Sequence, residues 1–505
     1  MTNHLYDHLL GVRAGEARTF IDVPGAGSIG FDGLHRLAGQ VAGALVGMGV
    51  QPGDRVALQA EKSPQAVALY LGAVRAGAIF LPLNTGYTPS EIDYFIGNAE
   101  PKVFVCDPAK RDALAVSAAA HGARLETLGA DGRGSLWETV EASAPDFATV
   151  ERGADDLAAI LYTSGTTGRS KGAMLSHGNL LSNAQVLKDY WRFTDADVLL
   201  HALPIYHSHG LFVAINTCLL AGATMIFFPK FDAETVLREM PRATAMMGVP
   251  TFYTRLLAAE AFTKDLAGHM RLFISGSAPL LAETHDRFRE RTGHAILERY
   301  GMTETNMNTS NPYDGERRAG TVGFPLPGVE LRVADPESGR ILGAGEIGVI
   351  EVKGPNVFSG YWRMPEKTAE EFREDGFFIT GDLGKVDADG YVTIVGRGKD
   401  LVISGGFNVY PKEIEEKIDD LEGVAESAVI GVPHPDFGEG VTAVVVKDGS
   451  KDISEDDIAA AIREDLAAFK QPKRIFFVDE LPRNTMGKAQ KNVLRDRYKD
   501  IYEKQ

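Results

Sequence analysis

Between Phe31 and Ser275 the chain alternates short apolar runs with stretches of helical period, which restricts it to a layered α/β architecture. Phe31 to Met48 has amphipathic helical spacing, Pro52-Gly53-Asp54 is a turn, and Arg55-Val56-Ala57-Leu58-Gln59 is a strand. Ser63 is placed to cap a helix running to about Arg75, and Ala76-Gly77-Ala78 leads into a strand at Ile79 to Leu83. Further strands are expected at Val103 to Cys106, Ala158 to Thr163, Thr224 to Phe228, Ala245 to Val249 and Leu272 to Ser275. Helical segments between them make the sheets largely parallel.

The texture changes after about Gly320. Short strands at Glu330 to Val333, Gly348 to Val352 and Tyr391 to Val395 sit among Gly, Pro and Asp turns, as in a small antiparallel barrel or sheet. From Gly396 onward come a strand at Asp400 to Ser404, a helix at Pro411 to Leu421, strands at Glu426 to Val432 and Gly440 to Val446, and a helix at Glu455 to Leu466. That last stretch is a compact α+β unit of about 110 residues, an ordinary domain size. Gly396-Arg397-Gly398-Lys399-Asp400 lies between two units and reads as a hinge.

A chain of 505 residues is too long for one core, so two or three domains are expected. The net charge of −17 repels nucleic acid and anionic membranes, so a polyanionic substrate needs a local basic site. Two cysteines, Cys106 and Cys218, both in apolar runs, exclude a disulfide framework. No segment approaches the roughly 20 apolar residues of a membrane span. The first twenty residues lack a signal or transit pattern, and Tyr502-Glu503-Lys504-Gln505 is not a peroxisomal address. A soluble cytoplasmic protein is therefore expected, with no nucleic-acid or membrane partner. Composition leaves monomer or homodimer open.

One loop carries chemistry. Thr163-Ser164-Gly165-Thr166-Thr167-Gly168-Arg169-Ser170-Lys171-Gly172 follows the strand ending at Tyr162, and Ala173 to Leu181 continues as helix or extended chain. Its glycines let backbone amides approach phosphate oxygens, and its hydroxyls add short donors. Lys171 is followed by Gly172, where a Walker A loop needs Ser or Thr for magnesium, so a P-loop NTPase fits poorly. Composition alone would equally allow a solvated Gly/Ser/Thr loop.

The full string resembles the signature loop of the adenylate-forming superfamily, which includes acyl-CoA synthetases, firefly luciferase and the adenylation domains of peptide synthetases. Further motifs follow in the family's order. Ser275-Gly276-Ser277-Ala278-Pro279 is similar to its adenine and pocket loop, and Glu298-Arg299-Tyr300-Gly301-Met302-Thr303-Glu304-Thr305 to its nucleotide-binding core. Thr380-Gly381-Asp382 resembles the ribose site, Gly396 to Asp400 the hinge with its pivot at Lys399, and Pro482 to Lys488 the catalytic lysine loop. The resemblance implies a large N-terminal domain, residues 1–396, of parallel-rich α/β layers plus a small β-barrel. A small mobile α+β domain, residues 397–505, would be hinged to it.

The resemblance also implies the roles. A carboxylate attacks the α-phosphate of ATP and expels pyrophosphate; CoA thiolate then attacks the acyl-adenylate and expels AMP. Both steps build negative charge that cations and a metal stabilise. ATP would contact Thr163, Ser164, Gly165, Thr166, Thr167, Gly168, Lys171, Ser277, Ala278, Pro279 and the motif from Glu298 through Met302. Asp382 would accept from the ribose hydroxyls, and Arg397 would contact ribose or phosphate. Thr303 would meet the α-phosphate, Glu304 would hold Mg2+, and Lys488 would reach the forming bond as a mobile point charge. Ser404, Gly405 and Gly406 would frame the CoA tunnel after the small domain turns.

The acid is addressed by a pocket expected at Ile205 to Gly210, Gly248 to Arg255, Ser275 to Ser277 and Gly301 to Asn306. Pro250 can begin a helix with Arg255 on its second turn. A buried Arg without an anion is costly, so Arg255 would call for a structural partner such as Glu260 or for a substrate with a second carboxylate. Val249 to Arg255, Ser275 to Pro279 and Tyr300 to Thr309 are similar to the malonyl-CoA synthetases of the superfamily, where the matching Arg and Ser hold the distal carboxylate. Malonate is therefore the expected acid, with methylmalonate tolerated beside Met302 and Met307. His207 would line or gate this pocket; the spacing of His201, His207 and His209 does not suggest zinc. Other readings are a medium-chain or aryl acid ligase, an adenylation enzyme loading a carrier protein, and a luciferase-like oxygenase.

Overall fold

The computed structural model describes residues 2–163, 170–404, 407–435, 437–463, 466, 468, 470–484 and 487–502. Two sheets carry most of the chain, and both follow from strands that read as continuous apolar runs. The first orders its strands Arg124–Thr127, Val103–Cys106, Arg55–Gln59, Ile79–Pro82, Leu157–Thr163 and Lys171–Ser176, all parallel except the last pair. The second has nine strands. Its parallel centre runs Leu297–Met302, Leu272–Ser275, Ala245–Gly248, Val198–His201, Thr224–Phe227, Thr19–Val23, and antiparallel strands close both edges. Val103–Cys106 and Leu272–Ser275 are buried along their whole length, as strands covered on both faces must be.

One apolar cluster joins the two sheets, with Val56, Leu58 and Leu161 from the first and Leu199, Met225, Ile274 and Leu297 from the second. Cys106 and Cys218 are both buried in the packing and unpaired. The small antiparallel barrel or sheet expected after Gly320 is built on Glu330–Ala334, Gly348–Lys353, Phe378–Val386 and Val392–Arg397. Backbone bonds between Val392 and Val322 and Gly323 carry the pairing on past the last of these strands.

The C-terminal unit is built on Val424–His434 and Gly438–Lys447, paired over ten positions, with Arg474–Val478 parallel at one side. Strand alternation divides its core. Val429, Val441, Ala443 and Val445 pack under the helices Pro411–Asp419 and Glu455–Ile462, and Ile430, Val432 and Val444 pack against Leu494 and Tyr498 of the helix Lys491–Tyr498. The fold is thus a large mixed α/β N-terminal domain and a small C-terminal one. No helix among the described residues is long and apolar enough to cross a membrane.

The helix Pro64–Arg75 illustrates how local signals set this frame. Ser63 Oγ accepts from Ala66 N at 3.2 Å, Pro64 opens the helix, and ten of its twelve residues are buried between the layers. Ser63→Ala is expected to destabilise the large domain by about 1 kcal/mol, the usual worth of such a cap. A lower urea midpoint at unchanged slope would show it, and an unchanged midpoint would contradict it.

Candidate active site

The strands Val198–His201, Ala245–Gly248, Leu272–Ser275 and Leu297–Met302 run in one direction, so their carboxyl ends share one edge. Open α/β sheets bind ligands at that edge. This register brings together the segments after each strand: residues 202–208, the start of the helix Pro250–Ala258, the loop from Gly276, and the turn at Thr303. Motifs about a hundred residues apart in sequence become neighbours because the strands are in register.

Tyr300 and Asp382 meet here. Tyr300 Oη donates to Asp382 Oδ2 at 2.5 Å, and Arg397 Nε lies 2.6 Å from Asp382 Oδ1. Asp382 lies in the strand Phe378–Val386 and Arg397 ends the strand paired with it, a register that puts the two side by side. The arrangement leaves a fixed carboxylate that can accept further hydrogen bonds. Glu298, one residue pair before Tyr300 on the same strand face, is buried with Oε1 unpartnered, and burial pushes its pKa up to about 8.

Lys488 comes to this cleft from the small domain. Its loop is tied by Asn484 N to Lys488 O at 2.9 Å and by Lys488 N to Asn484 Oδ1 at 3.0 Å, and Arg483 donates to Gly487 O. Gly487, at φ +76°, backs onto the large domain, where a Cβ would stand 3.8 Å from Thr251 Cγ2. Crowding by protein, then the charge of Arg397, lower the Lys488 pKa, while Asp382 and Glu304 act the other way. His207 is half-buried beside it; burial and Lys488 push its pKa down to about 4, so it is neutral at pH 7. Arg397 leads directly into a single turn at Gly398–Asp400, where burial lowers Lys399 to about 8 and Arg495 holds Asp400 at 2.7 Å.

Ser164, Gly165, Thr166, Thr167 and Gly168 of the phosphate loop lie outside the described residues, as do Gly405 and Gly406; Ser404 is buried at its strand end. Thr163 and Lys171 are paired across an antiparallel hairpin. The continuation after the loop is therefore a strand, Lys171–Ser176, with the helix His177–Tyr190 only beyond it, unlike the strand–loop–helix of a P-loop. Lys171 Nζ donates to Glu371 Oε1 at 2.8 Å. Tyr361 Oη stands 2.6 Å from Glu371 Oε2 and 3.1 Å from Glu304 Oε1. Glu304 is 5% exposed, and burial raises its pKa against the pull of Tyr361 and the nearby cations. Neither Tyr361 nor Glu371 was identified from the sequence; the pattern Tyr361 to Glu371 has no motif spacing that would single them out.

Arg255 is exposed in the last turn of Pro250–Ala258, because the buried face of that helix is Tyr253, Leu256 and Leu257. That i, i+3, i+4 set leaves Arg255 off the apolar stripe, so the argument from a buried Arg255 fails. The buried cation is Arg299, 3% exposed, with Nε and Nη2 finding no acceptor among the described residues. Its guanidinium lies flat on Gly276, where a Cβ would come within 2.4 Å of Cζ. Burial lowers the Arg299 pKa to about 9. Strand alternation explains the placement: Arg299 shares a face with Leu297 and Gly301, opposite to Tyr300. Arg299 and Tyr300 therefore leave the strand on opposite faces, and Arg299 is still close enough to Lys488 for its charge to act there.

Beside it, Ser277 is held at φ +72° and its Oγ is 3.2 Å from His209 Nδ1. His209 opens the π-helix His209–Ile215, a rare element concentrated at functional sites. Burial and the charge of Arg299 keep His209 neutral. Ala278 and Met302 are half-buried at the same edge, Gly301 admits no Cβ because Asn306 O would be 1.8 Å away, and Pro279 is exposed.

Residues 12–362 match the model of the AMP-binding enzyme family, and residues 413–488 match that of the AMP-binding enzyme C-terminal domain. The chain belongs to the AMP-binding enzyme family. It is an ATP-dependent acyl-CoA ligase. It is 64% identical to MatB of Rhodopseudomonas palustris over the whole of both chains, with TM-scores of 0.98 to the ATP-bound crystal structure and 0.86 to the apo one. The domain arrangement of this AMP-binding enzyme thus follows the ATP-bound form more closely. A malonate–CoA ligase of Arabidopsis thaliana is 36% identical over 491 residues, spanning 90% of this chain and 80% of its own.

Glu298 generates a pH prediction for this AMP-binding enzyme. Its folded pKa, about 8, lies above the ordinary 4.5, so the folded state binds the extra proton between those values. The associated stability is full below about 4.5 and is lost as pH rises through 8. The stability of Glu298→Gln relative to wild type should therefore rise from pH 5 to pH 8 in urea titrations. A pH-independent difference would refute the assignment.

Proposed function

We propose that the chain joins malonate to CoA, tolerating methylmalonate, through a malonyl-adenylate. The observation that carries this reading is Arg299: a guanidinium buried beside Ser277 and His209 with two donors unpartnered. An unpaired buried cation is costly, and a carboxylate that accepts from it offsets that cost. His207 and His209 are both neutral, and among the described residues Arg299 Nε and Nη2 have no acceptor. A monocarboxylic acid of similar size would leave the guanidinium unpaired, which is the strongest form of rejection.

The reacting carboxylate then faces Lys488, His207 and the α-phosphate. Asp382 accepts from the ribose, Arg397 orients it, and Lys171 faces the leaving pyrophosphate. The malonate oxygen forms its bond to the α-phosphorus as the bond to pyrophosphate breaks. Thr303 and Lys488 meet the charge that develops on the α-phosphate oxygens. Glu304 fits a magnesium site: it is a buried carboxylate met at Oε1 by Tyr361 and close to the charges of Arg397 and Lys171, and one protein carboxylate with substrate phosphates suffices for that ion. Mg2+, when bound, would neutralise phosphate charge. The small domain, residues 397–505, turns about Lys399, withdraws Lys488 and brings Ser404 toward the CoA path. The thiolate then attacks the acyl carbon and AMP leaves.

Two measurements test this. ATP–pyrophosphate exchange should be stimulated by malonate and methylmalonate far more than by acetate or benzoate. Arg299→Ala should lose that preference by about 100-fold, the cost of removing a charged hydrogen-bonding partner, while Arg255→Ala keeps it. Malonate no better than acetate would overturn the assignment. Separately, Lys488→Ala should abolish adenylation yet still form the thioester from supplied malonyl-adenylate; equal loss of both half-reactions would refute the turning domain.

A further inference from the structure

One polar chain near the cleft joins two motif residues, Lys171 and Glu304, through two that belong to no motif, Glu371 and Tyr361. Glu371 follows the helix Pro365–Glu370 and accepts from Lys171 at 2.8 Å and from Tyr361 at 2.6 Å, and Lys367 Nζ lies 3.2 Å from the oxygen that Lys171 uses. The Lys171 ammonium also stands 4.1 Å from the centroid of the Tyr361 ring, and the hydroxyl of that ring reaches Glu304. Backbone bonds lock the parts together. Met174 N donates to Gly360 O at 2.9 Å, Trp362 N to Gly172 O at 2.7 Å, and Phe358 N to Glu304 O at 2.8 Å. Tyr361 N is tied to Thr368 Oγ1 at 2.9 Å.

We propose that Glu371 and Tyr361 are positioning residues for the triphosphate end of ATP, Glu371 fixing the ammonium of Lys171 and Tyr361 tying that cation to the Glu304 carboxylate. The proposal rests on the reading of Lys171 and Glu304 as the pyrophosphate and magnesium groups. A lysine on four rotatable bonds is a poorly aimed charge until something holds it. Here one carboxylate oxygen and one aromatic face hold it, and the ammonium has donors left for phosphate. Two lysines on one carboxylate leave a net positive charge, so Glu371 does not turn the site against a polyanion. The two ends of the chain, a cation and a metal-binding carboxylate, are kept at a set spacing before nucleotide arrives.

The test uses the purified full-length chain and calorimetry with two probes: the Mg2+ complex of α,β-methylene-ATP, and AMP. AMP lacks the phosphates that Lys171 and magnesium would hold. Glu371→Gln is expected to weaken the ATP analogue about tenfold, the loss expected for one charge-assisted hydrogen bond, and to leave AMP unchanged. Tyr361→Phe should show the same selective loss together with a higher half-saturating Mg2+ concentration. Equal weakening of both probes, or wild-type affinity for both, would overturn the proposal. If Glu371→Gln does not fold, Glu371→Asp, which shortens the carboxylate by one methylene, should give a smaller loss with the same selectivity. Glu304→Gln separates the two levels: wild-type binding of the analogue there removes the magnesium reading and the proposal with it. Loss in Glu304→Gln beside wild-type binding in Glu371→Gln overturns the proposal alone.

Discussion

The common direction of four strands is the constraint on which the rest depends. Because Val198–His201, Ala245–Gly248, Leu272–Ser275 and Leu297–Met302 pair in parallel, every loop that follows them opens at the same edge. A one-residue slip in any of them would exchange its faces. In Leu297–Met302 such a slip would put Arg299 where Tyr300 meets Asp382 and would bury the tyrosine against Gly276. The hydrogen-bonded ladder therefore sets both surroundings at once: Tyr300 is directed to Asp382, and Arg299 to Gly276.

The same pairing explains how the second sheet and the small domain contribute. The hairpin Leu157–Thr163 and Lys171–Ser176 lies at the edge of its own sheet, and residues 359–362 run along it through backbone bonds. Lys171 is thereby brought to Tyr361 and Glu371, and through Tyr361 to Glu304 on the other sheet. The small domain adds Lys488 by docking Gly487 against Thr251. Each large piece supplies one charge, and none of the pieces has a complete site.

The layers were legible because apolar runs and caps are local signals: Arg55–Gln59, Val103–Cys106 and Leu272–Ser275 lie where their residues indicate, and Ser63 caps its helix. The motifs carrying Tyr300, Asp382, Arg397 and Lys488 were legible through resemblance and do converge. Two things were not. The exposure of Arg255 follows from Tyr253, Leu256 and Leu257 forming the buried face of its helix, a pattern that resemblance to the malonyl-CoA synthetases does not convey. Glu371 depends on a contact 200 residues away in sequence, which no local pattern encodes.

Arg299 is a weak point of the fold. A guanidinium at 3% exposure with two unpartnered donors costs several kcal/mol in the ligand-free protein. The surrounding core keeps it there: Tyr253 and the strands on either side are fully buried, and Gly276 leaves a flat surface against which the guanidinium fits. A side chain at position 276 would push it out, and an acidic neighbour would neutralise it. Either change would remove the cost of an unpaired buried guanidinium. Strain at Ser277, whose backbone is left-handed without being glycine, belongs to the same economy. Under the proposed assignment, a second carboxylate on the acid would offset the cost of burying Arg299, and recognition of the acid and relief of the fold would be one event.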